Sequence, residues 1–131
     1  MIAMFPLLVI SLIAYNVIVI FGGGVSALQG EVLSLTMMSG GNWQMTVGDL
    51  LIVSSLVLLF FEIMKSTRTS NASVLDHLLS TFVFVAFLVE FLLVPGAATS
   101  VFFILMVMSA VDLMAGFSVS IRAAGRDVSF N

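Results

Sequence analysis

Long apolar runs dominate this chain and decide what it can fold into. Runs of near bilayer-spanning length cover residues 2–21, 49–64, 75–94 and 98–119, and none contains Lys or Arg. About 20 such residues, rising ~1.5 Å each, cross the hydrocarbon as a helix. With 61% hydrophobic and 8% charged residues, the chain cannot build a soluble domain's charged skin. Lipid is therefore expected over most of its surface, and 131 residues suit one domain. The first run follows no Lys or Arg and exceeds a usual signal-peptide core. It reads as a span, despite the small residues Val25-Ser26-Ala27 behind it.

Gly22-Gly23-Gly24, the polar stretch 66–73 and Pro95-Gly96 separate the runs. Thr46-x-x-Asp49 and Ser73-x-x-Asp76 have capping-box spacing ahead of the second and third, so both aspartates are expected at helix starts. Lys65 and Arg68 lie between the second and third runs, and Arg122 and Arg126 follow the fourth. Four crossings put all of these on one side, which the positive-inside rule makes cytoplasmic. The expected fold is an all-α membrane protein: an antiparallel four-helix transmembrane bundle with a small β-hairpin in the first extracytoplasmic loop. Both termini are expected inside, residues 22–48 outside, and a tight outer turn at 95–97.

The stretch "LSLTMMSGGNWQMTV", residues 33–47, alternates apolar and polar residues about a Gly-Gly. The hairpin is expected over about 32–47. Folded on a Ser39-Gly40-Gly41 loop, it sets Met37 opposite Trp43, Leu35 opposite Met45 and Leu33 opposite Val47. Thr36 then meets Gln44, and Ser34 meets Thr46. One face is wholly apolar and the other wholly polar, and a glycine supplies the left-handed loop residue. An interfacial helix using Leu28, Val32, Leu35 and Met38 is the alternative, but it leaves 43–47 unexplained. An isolated two-stranded ribbon is barely stable. Its apolar face should therefore rest on the helix ends, on the membrane interface with Trp43 as anchor, or on a partner protein.

Polar groups within the runs are the candidate sites. Asn16 and Glu90 fall in the outer half of the hydrocarbon, with Tyr15 adjacent to Asn16; Asp112 lies slightly inward of the middle, near the level of Glu62. Burial without a counter-charge favours a protonated acid. The structural expectation has Glu90 bonded to Asn16 or Tyr15, and Asp112 bonded to hydroxyls or to Glu62. Lys65 can reach Glu62 along one helix. The functional alternative makes these acids a proton or cation relay. His77, the single histidine, cannot hold a metal or haem alone and is expected at the interface with its hydrogen bond satisfied. Gly116-x-x-x-Ser120 fits a close helix contact.

Four basic residues and a net charge of −3 exclude a phosphate-binding patch, so no nucleic acid is expected. With no cysteine there are no disulfides or thiolate ligands. No nucleophile–base–orienter set, P-loop or dinucleotide fingerprint occurs, so neither an enzyme nor a bound cofactor is expected. The stretches "MTVGDL", "VGDLLIVSSLVLLFFEIMKSTRT" and "HLLSTFVFVAFLVEFLLVPGAATSVFFILMVMSAVDLMAGFSVSIRAAGRD" together resemble a group of small, uncharacterised four-span inner-membrane proteins of proteobacteria. The resemblance covers roughly residues 43 to 127. It implies a bacterial inner-membrane location and four spans, and it carries no activity.

The expected function is an accessory, assembly or structural subunit of a larger membrane complex or a homo-oligomer. Its partners would be the lipid bilayer and other membrane subunits or further copies of itself. Contact would run through the hairpin face of Leu33, Leu35, Met37, Trp43, Met45 and Val47. The alternative is a small proton- or cation-coupled transporter or channel using Glu62, Glu90 and Asp112.

Overall fold

The computed structural model describes residues 5–66 and 71–129. Within them the chain is mostly helical, with four helices and one two-stranded antiparallel sheet. Helix α1 (Leu8–Phe21) leads through a 3-10 turn at Val25–Gln29 to strands β1 (Glu31–Thr36) and β2 (Asn42–Thr46). Then come α2 (Val47–Ser66), α3 (Asn71–Leu93), a second 3-10 turn at Pro95–Ala97 and α4 (Ser100–Ser129). Helix α4 packs along both α2 and α3, while α1 lies mainly on α2.

By length and composition, α2, α3 and α4 are each able to cross a membrane. Helix α1 has 14 residues. That is about 21 Å at the helical rise, short of a ~30 Å hydrocarbon core. Within the described part of the 2–21 run, the helix begins at Leu8. Pro6 opens its first turn, accepting a bond from the Val9 N–H at 3.1 Å, and proline suits that place because it has no N–H to leave unpaired. Residues 2–4 lie outside the described residues. At the other end, α4 runs ten residues past the expected end of the fourth span, because no proline follows to stop it.

The exterior of the helices is largely apolar, and polar groups sit inside among the apolar core. The buried stripes carry polar groups: Ser11 and Tyr15 on α1, Ser55 and Glu62 on α2, Asp76 and Ser80 on α3, Ser109 and Asp112 on α4. Large apolar side chains face out, among them Phe60, Phe61, Phe82, Val89, Phe103 and Met114. Phe102 and Phe87 fill the centre with no exposure. Tyr15 meets Phe102 edge-on at 4.9 Å, and Phe91 stacks on it at 6.3 Å. Where α2 begins, a Cβ on Gly48 would come within 2.9 Å of Val101 Cγ2, so the glycine allows α2 and α4 to meet closely.

The hairpin forms, in a different register from the expected one. Leu35 faces Trp43, Leu33 faces Met45, Ser34 faces Gln44 and Thr36 faces Asn42, with an irregularity between Glu31 and Leu33. The loop is Met38-Ser39-Gly40. Gly40 N–H bonds Met37 O at 2.9 Å, and Met37 N–H bonds Gly41 O at 2.7 Å. A three-residue loop of this kind needs its third residue left-handed. Gly40, at φ +89°, takes that place, and the loop lies one residue earlier than the expected Ser39-Gly40-Gly41. Met37 therefore sits at the turn rather than opposite Trp43. Val47 begins α2 rather than pairing with Leu33, although its N–H still closes the ribbon onto Gly30 O at 2.9 Å. The slip moves pairs by two positions, so each residue keeps its face. Leu28, assigned to the interfacial-helix alternative, is instead buried in the 3-10 turn.

The first capping box is present. Thr46 N–H donates to Asp49 Oδ2 and Asp49 N–H donates to Thr46 Oγ1, both at 3.1 Å, so β2 passes into α2 without a loop. At the second, α3 already starts at Asn71, which places Ser73 inside the helix rather than ahead of it, and the Ser73 side chain lies outside the described residues.

The register makes a direct prediction. Gly40→Ala should cost the hairpin about 1 kcal/mol, since the strain is in the backbone and no atom lies within 4 Å of the added Cβ. Gly41→Ala should be close to neutral. Amide exchange at Leu35 and Trp43 reads the difference, and a larger loss at Gly41 would restore the expected register.

Candidate functional site

Two groups of buried and half-buried polar side chains hold the helices together. The first lies at the end of α2 away from the hairpin. Glu62, 1% exposed, accepts the Leu7 N–H through Oε1 at 2.7 Å and the Lys65 ammonium on the same oxygen at 2.9 Å. Leu7 flanks the start of α1, which has no side-chain cap of its own. A carboxylate from α2 thus supplies the acceptor and the negative charge that a helix N-terminus favours. Lys65 also donates to the Phe5 carbonyl and lies 3.5 Å from Asp76 Oδ1 on α3. One ammonium therefore joins α2, α3 and the chain entering α1.

Asp112 of α4 adds a third carboxyl. It is buried, and the charges of Glu62, Asp76 and Lys65 all act on it. The expected Glu62–Lys65 pair is formed. One residue along from Asp76, His77 presses its ring on α4. A Cβ on Gly116 would lie 2.5 Å from His77 Cε1 and Nδ1. The close contact expected at Gly116 is therefore made to a side chain of α3, while the Ser120 side chain lies outside the described residues. His77 Nε2 is buried with no hydrogen-bond partner, so the satisfied interfacial histidine expected here is not found.

The second group lies towards the hairpin end. Asn16 Nδ2 donates to Glu90 Oε1 at 3.1 Å and to Leu12 O at 2.9 Å, tying α1 to α3. Tyr15, named as the alternative partner of Glu90, turns elsewhere. Its hydroxyl donates to Gly96 O at 2.8 Å and lies 2.7 Å from Thr99 Oγ1. Thr99 in turn caps α4, accepting the Phe102 N–H at 3.1 Å. Between the two groups, Ser11 and Ser55 share a buried hydrogen bond of 2.7 Å across α1 and α2. Small hydroxyl residues at such crossings let apolar helices approach and bond.

Asp76 and Thr99 were not singled out for these roles. Asp76 leaves a trace in spacing, since it stands in step with Ser80, Val83 and Phe87 at intervals of four, three and four residues on the buried face of α3. The inward reach of Lys65 to a second helix leaves none. A recess of about 400 Å3 at the start of α4 is lined by Phe91, Ala98, Thr99, Ser100 and Phe103, none of them acidic. Among the described residues, no three His, Cys, Asp or Glu side chains are grouped to hold a metal ion.

Of the hairpin residues, Leu33, Leu35 and Trp43 keep 43%, 48% and 40% of their surface exposed, and Met37 is exposed as well. Met45 and Val47, nearer the helices, are half-buried. Only the base of the apolar face is covered by the rest of the fold. No family model matches the chain, and neither a curated protein nor a solved structure matches it.

Breaking the Lys65 contacts should be expensive. Lys65→Met leaves Glu62 and Asp76 buried without their ammonium, a loss of about 3–5 kcal/mol for a buried pair. Adding Glu62→Gln should recover part of it. Thermal melting of the purified protein in detergent measures the cycle, and strictly additive losses would mean the two residues are not coupled.

Proposed function

We propose that the protein is a multi-pass protein of the bacterial inner membrane. All four helices would cross as an antiparallel bundle, both termini would be cytoplasmic, and the hairpin would lie on the outer side. The apolar exterior supports this, since buried polar groups and outward Phe, Leu and Val suit a hydrocarbon solvent. Three helices have the length to cross. Helix α1 would cross with the help of the Pro6–Leu7 turn, the Gly22–Gly24 exit and local bilayer thinning. The arrangement of Lys65, Arg68, Arg122 and Arg126 supplies the orientation. A topology test follows. Single cysteines at Gly41 and at Ser70, which lies outside the described residues, should differ towards an impermeant thiol reagent in cells stripped of any outer barrier. Gly41 should label and Ser70 should not; labelling at Ser70 alone would reverse the orientation.

Within that membrane the protein acts as an accessory or assembly subunit of a larger complex, or as a homo-oligomer. The observation carrying this reading is the open apolar face formed by Leu33, Leu35 and Trp43. Rigid aromatic and aliphatic anchors of this kind carry binding energy at interfaces. The intramembrane polar groups meanwhile serve chiefly as bonds between helices. In mild detergent the protein should purify with a stoichiometric partner or as a fixed multimer. Leu35→Ser with Trp43→Ser should abolish that association while leaving the helical circular dichroism intact. Glu90→Gln and Asp112→Asn should leave association unchanged. A monodisperse monomer from native membranes would count against the subunit reading.

A second reading is favoured by one observation: Glu62 and Asp76 are buried around a single lysine, and Asp112 on α4 is buried as well. Acids in such places serve proton and cation pathways. A transporter or channel would then show ion flux when reconstituted alone, and Glu90→Gln or Asp112→Asn would abolish it.

A further inference from the structure

The outer edge of β1 is open. The sheet has two strands, and all six residues of β1 are exposed, whereas Met45 and Thr46 at the end of β2 are half-buried. Met37 N–H bonds across the ribbon to Gly41 O. Alternation then turns the backbone groups of Leu33 and Leu35 towards β2 and those of Ser34 and Thr36 outwards. An irregularity between Glu31 and Leu33 sits at the base of the ribbon and leaves the pairing from Leu33 to Thr36 regular. Sheet edges are ordinarily blunted by a charge or a proline. Residues 32–48 contain neither. We propose that β1 is the contact strand of a homodimer, pairing antiparallel with β1 of a second copy to make a four-stranded sheet.

The strand's own sequence selects a copy of itself. Val32-Leu33-Ser34-Leu35-Thr36 reads nearly alike in both directions, with a β-branched residue at each end and a serine between two leucines. A two-fold interface needs such self-complementarity. With the axis at Ser34, the two serines exchange backbone bonds through the groups that point outwards. Leu33 of each copy then lies opposite Leu35 of the other, and Val32 opposite Thr36, so like meets like across the strands. Opposed residues share a face, and the two apolar faces become one. Charge permits the pairing as well. Glu31 is the charged residue of β1, and in this register the two glutamates stand ~20 Å apart along the strands, where salt screens them.

A foreign peptide strand would find the same backbone groups, but this edge offers it no charge to recognise. Two strands alone are barely stable, and four give the ribbon a sheet of ordinary size. The two-fold axis is perpendicular to the sheet. Copies inserted in the same sense therefore pair with the sheet lying along the membrane surface, Leu35 and Trp43 towards the lipid interface. The proposal rests on the homo-oligomer form of the subunit reading and names the strand through which the copies meet.

The chain has no cysteine of its own, so single cysteines in lipid vesicles report the register. Ser34→Cys should give a disulfide-linked dimer on mild oxidation, since paired Cα atoms at the axis lie ~5.5 Å apart. Thr36→Cys should link poorly, its two copies being ~14 Å apart along the strands, and so should Gln44→Cys on the outer edge of β2. Absence of linking at Ser34, equal linking at Thr36, or strongest linking at Gln44 would overturn the proposal. Ser34→Pro removes an N–H that β2 does not use, and should weaken dimerisation about tenfold. Energy transfer between labelled copies diluted with lipid measures it. Should the proline unfold the ribbon, Ser34→Lys sets two like charges at the axis, and unchanged dimerisation in that variant would also refute the pairing. A fixed multimer or a stoichiometric foreign partner without linking at Ser34 removes the β1 pairing and leaves the subunit reading standing. A monomer in native membranes removes both.

Discussion

An apolar exterior leaves the polar groups of this chain a single place to go, which is inward and against one another. The Lys65 ammonium is where that constraint is most concentrated. It bonds Glu62 on its own helix, approaches Asp76 on α3 and reaches the Phe5 carbonyl ahead of α1. Glu62 in turn accepts the Leu7 N–H at the start of α1. Without these bonds the end of the bundle opposite the hairpin would hold buried charges and an uncapped helix start, each costly in an interior of low dielectric.

The helices are joined at successive levels by the same principle. Ser11 meets Ser55, Asn16 meets Glu90, and Tyr15 bonds both Gly96 and Thr99. Buried polar side chains share their stripes with large apolar neighbours: Leu8 accompanies Ser11, and Val83 and Phe87 accompany Ser80. Hydrogen bonds fix which helices meet, while Phe102 with its aromatic neighbours fills the space between them. Specificity and packing are thus divided between two kinds of residue on one face.

The hairpin obeys a different rule. Its pairing is set by the loop, and the loop by which glycine adopts a positive φ. Gly40 and Gly41 offered two registers of the same parity, and parity alone determines which side chains share a face. The apolar face of Leu33, Leu35, Trp43 and Met45 was therefore legible from alternation, whereas the partner of each residue was not. Asp76 is a similar case. Its spacing suits a helix cap, but helix start sites depend on what the preceding residues can bond. Beginning α3 at Asn71 turned a capping candidate into a buried ion-pair partner.

By itself the sequence determined four helices, their breaks at Gly22–Gly24 and Pro95-Gly96, the ribbon between the first two, the cap at Thr46 and Asp49, and the pair Glu62–Lys65, while it left Glu90 to either Asn16 or Tyr15. These depend on local periodicity, on residues unable to continue a helix, and on side chains whose reach or depth follows from position along a rod. Tertiary structure alone decided the loop register, the inward turn of Asp76, the choice of Asn16 over Tyr15 as partner of Glu90 and the cap of α1 by Glu62. Each of those depends on the rotation of one helix about its axis relative to another. That rotation is settled by all the packed side chains together, and no single segment encodes it.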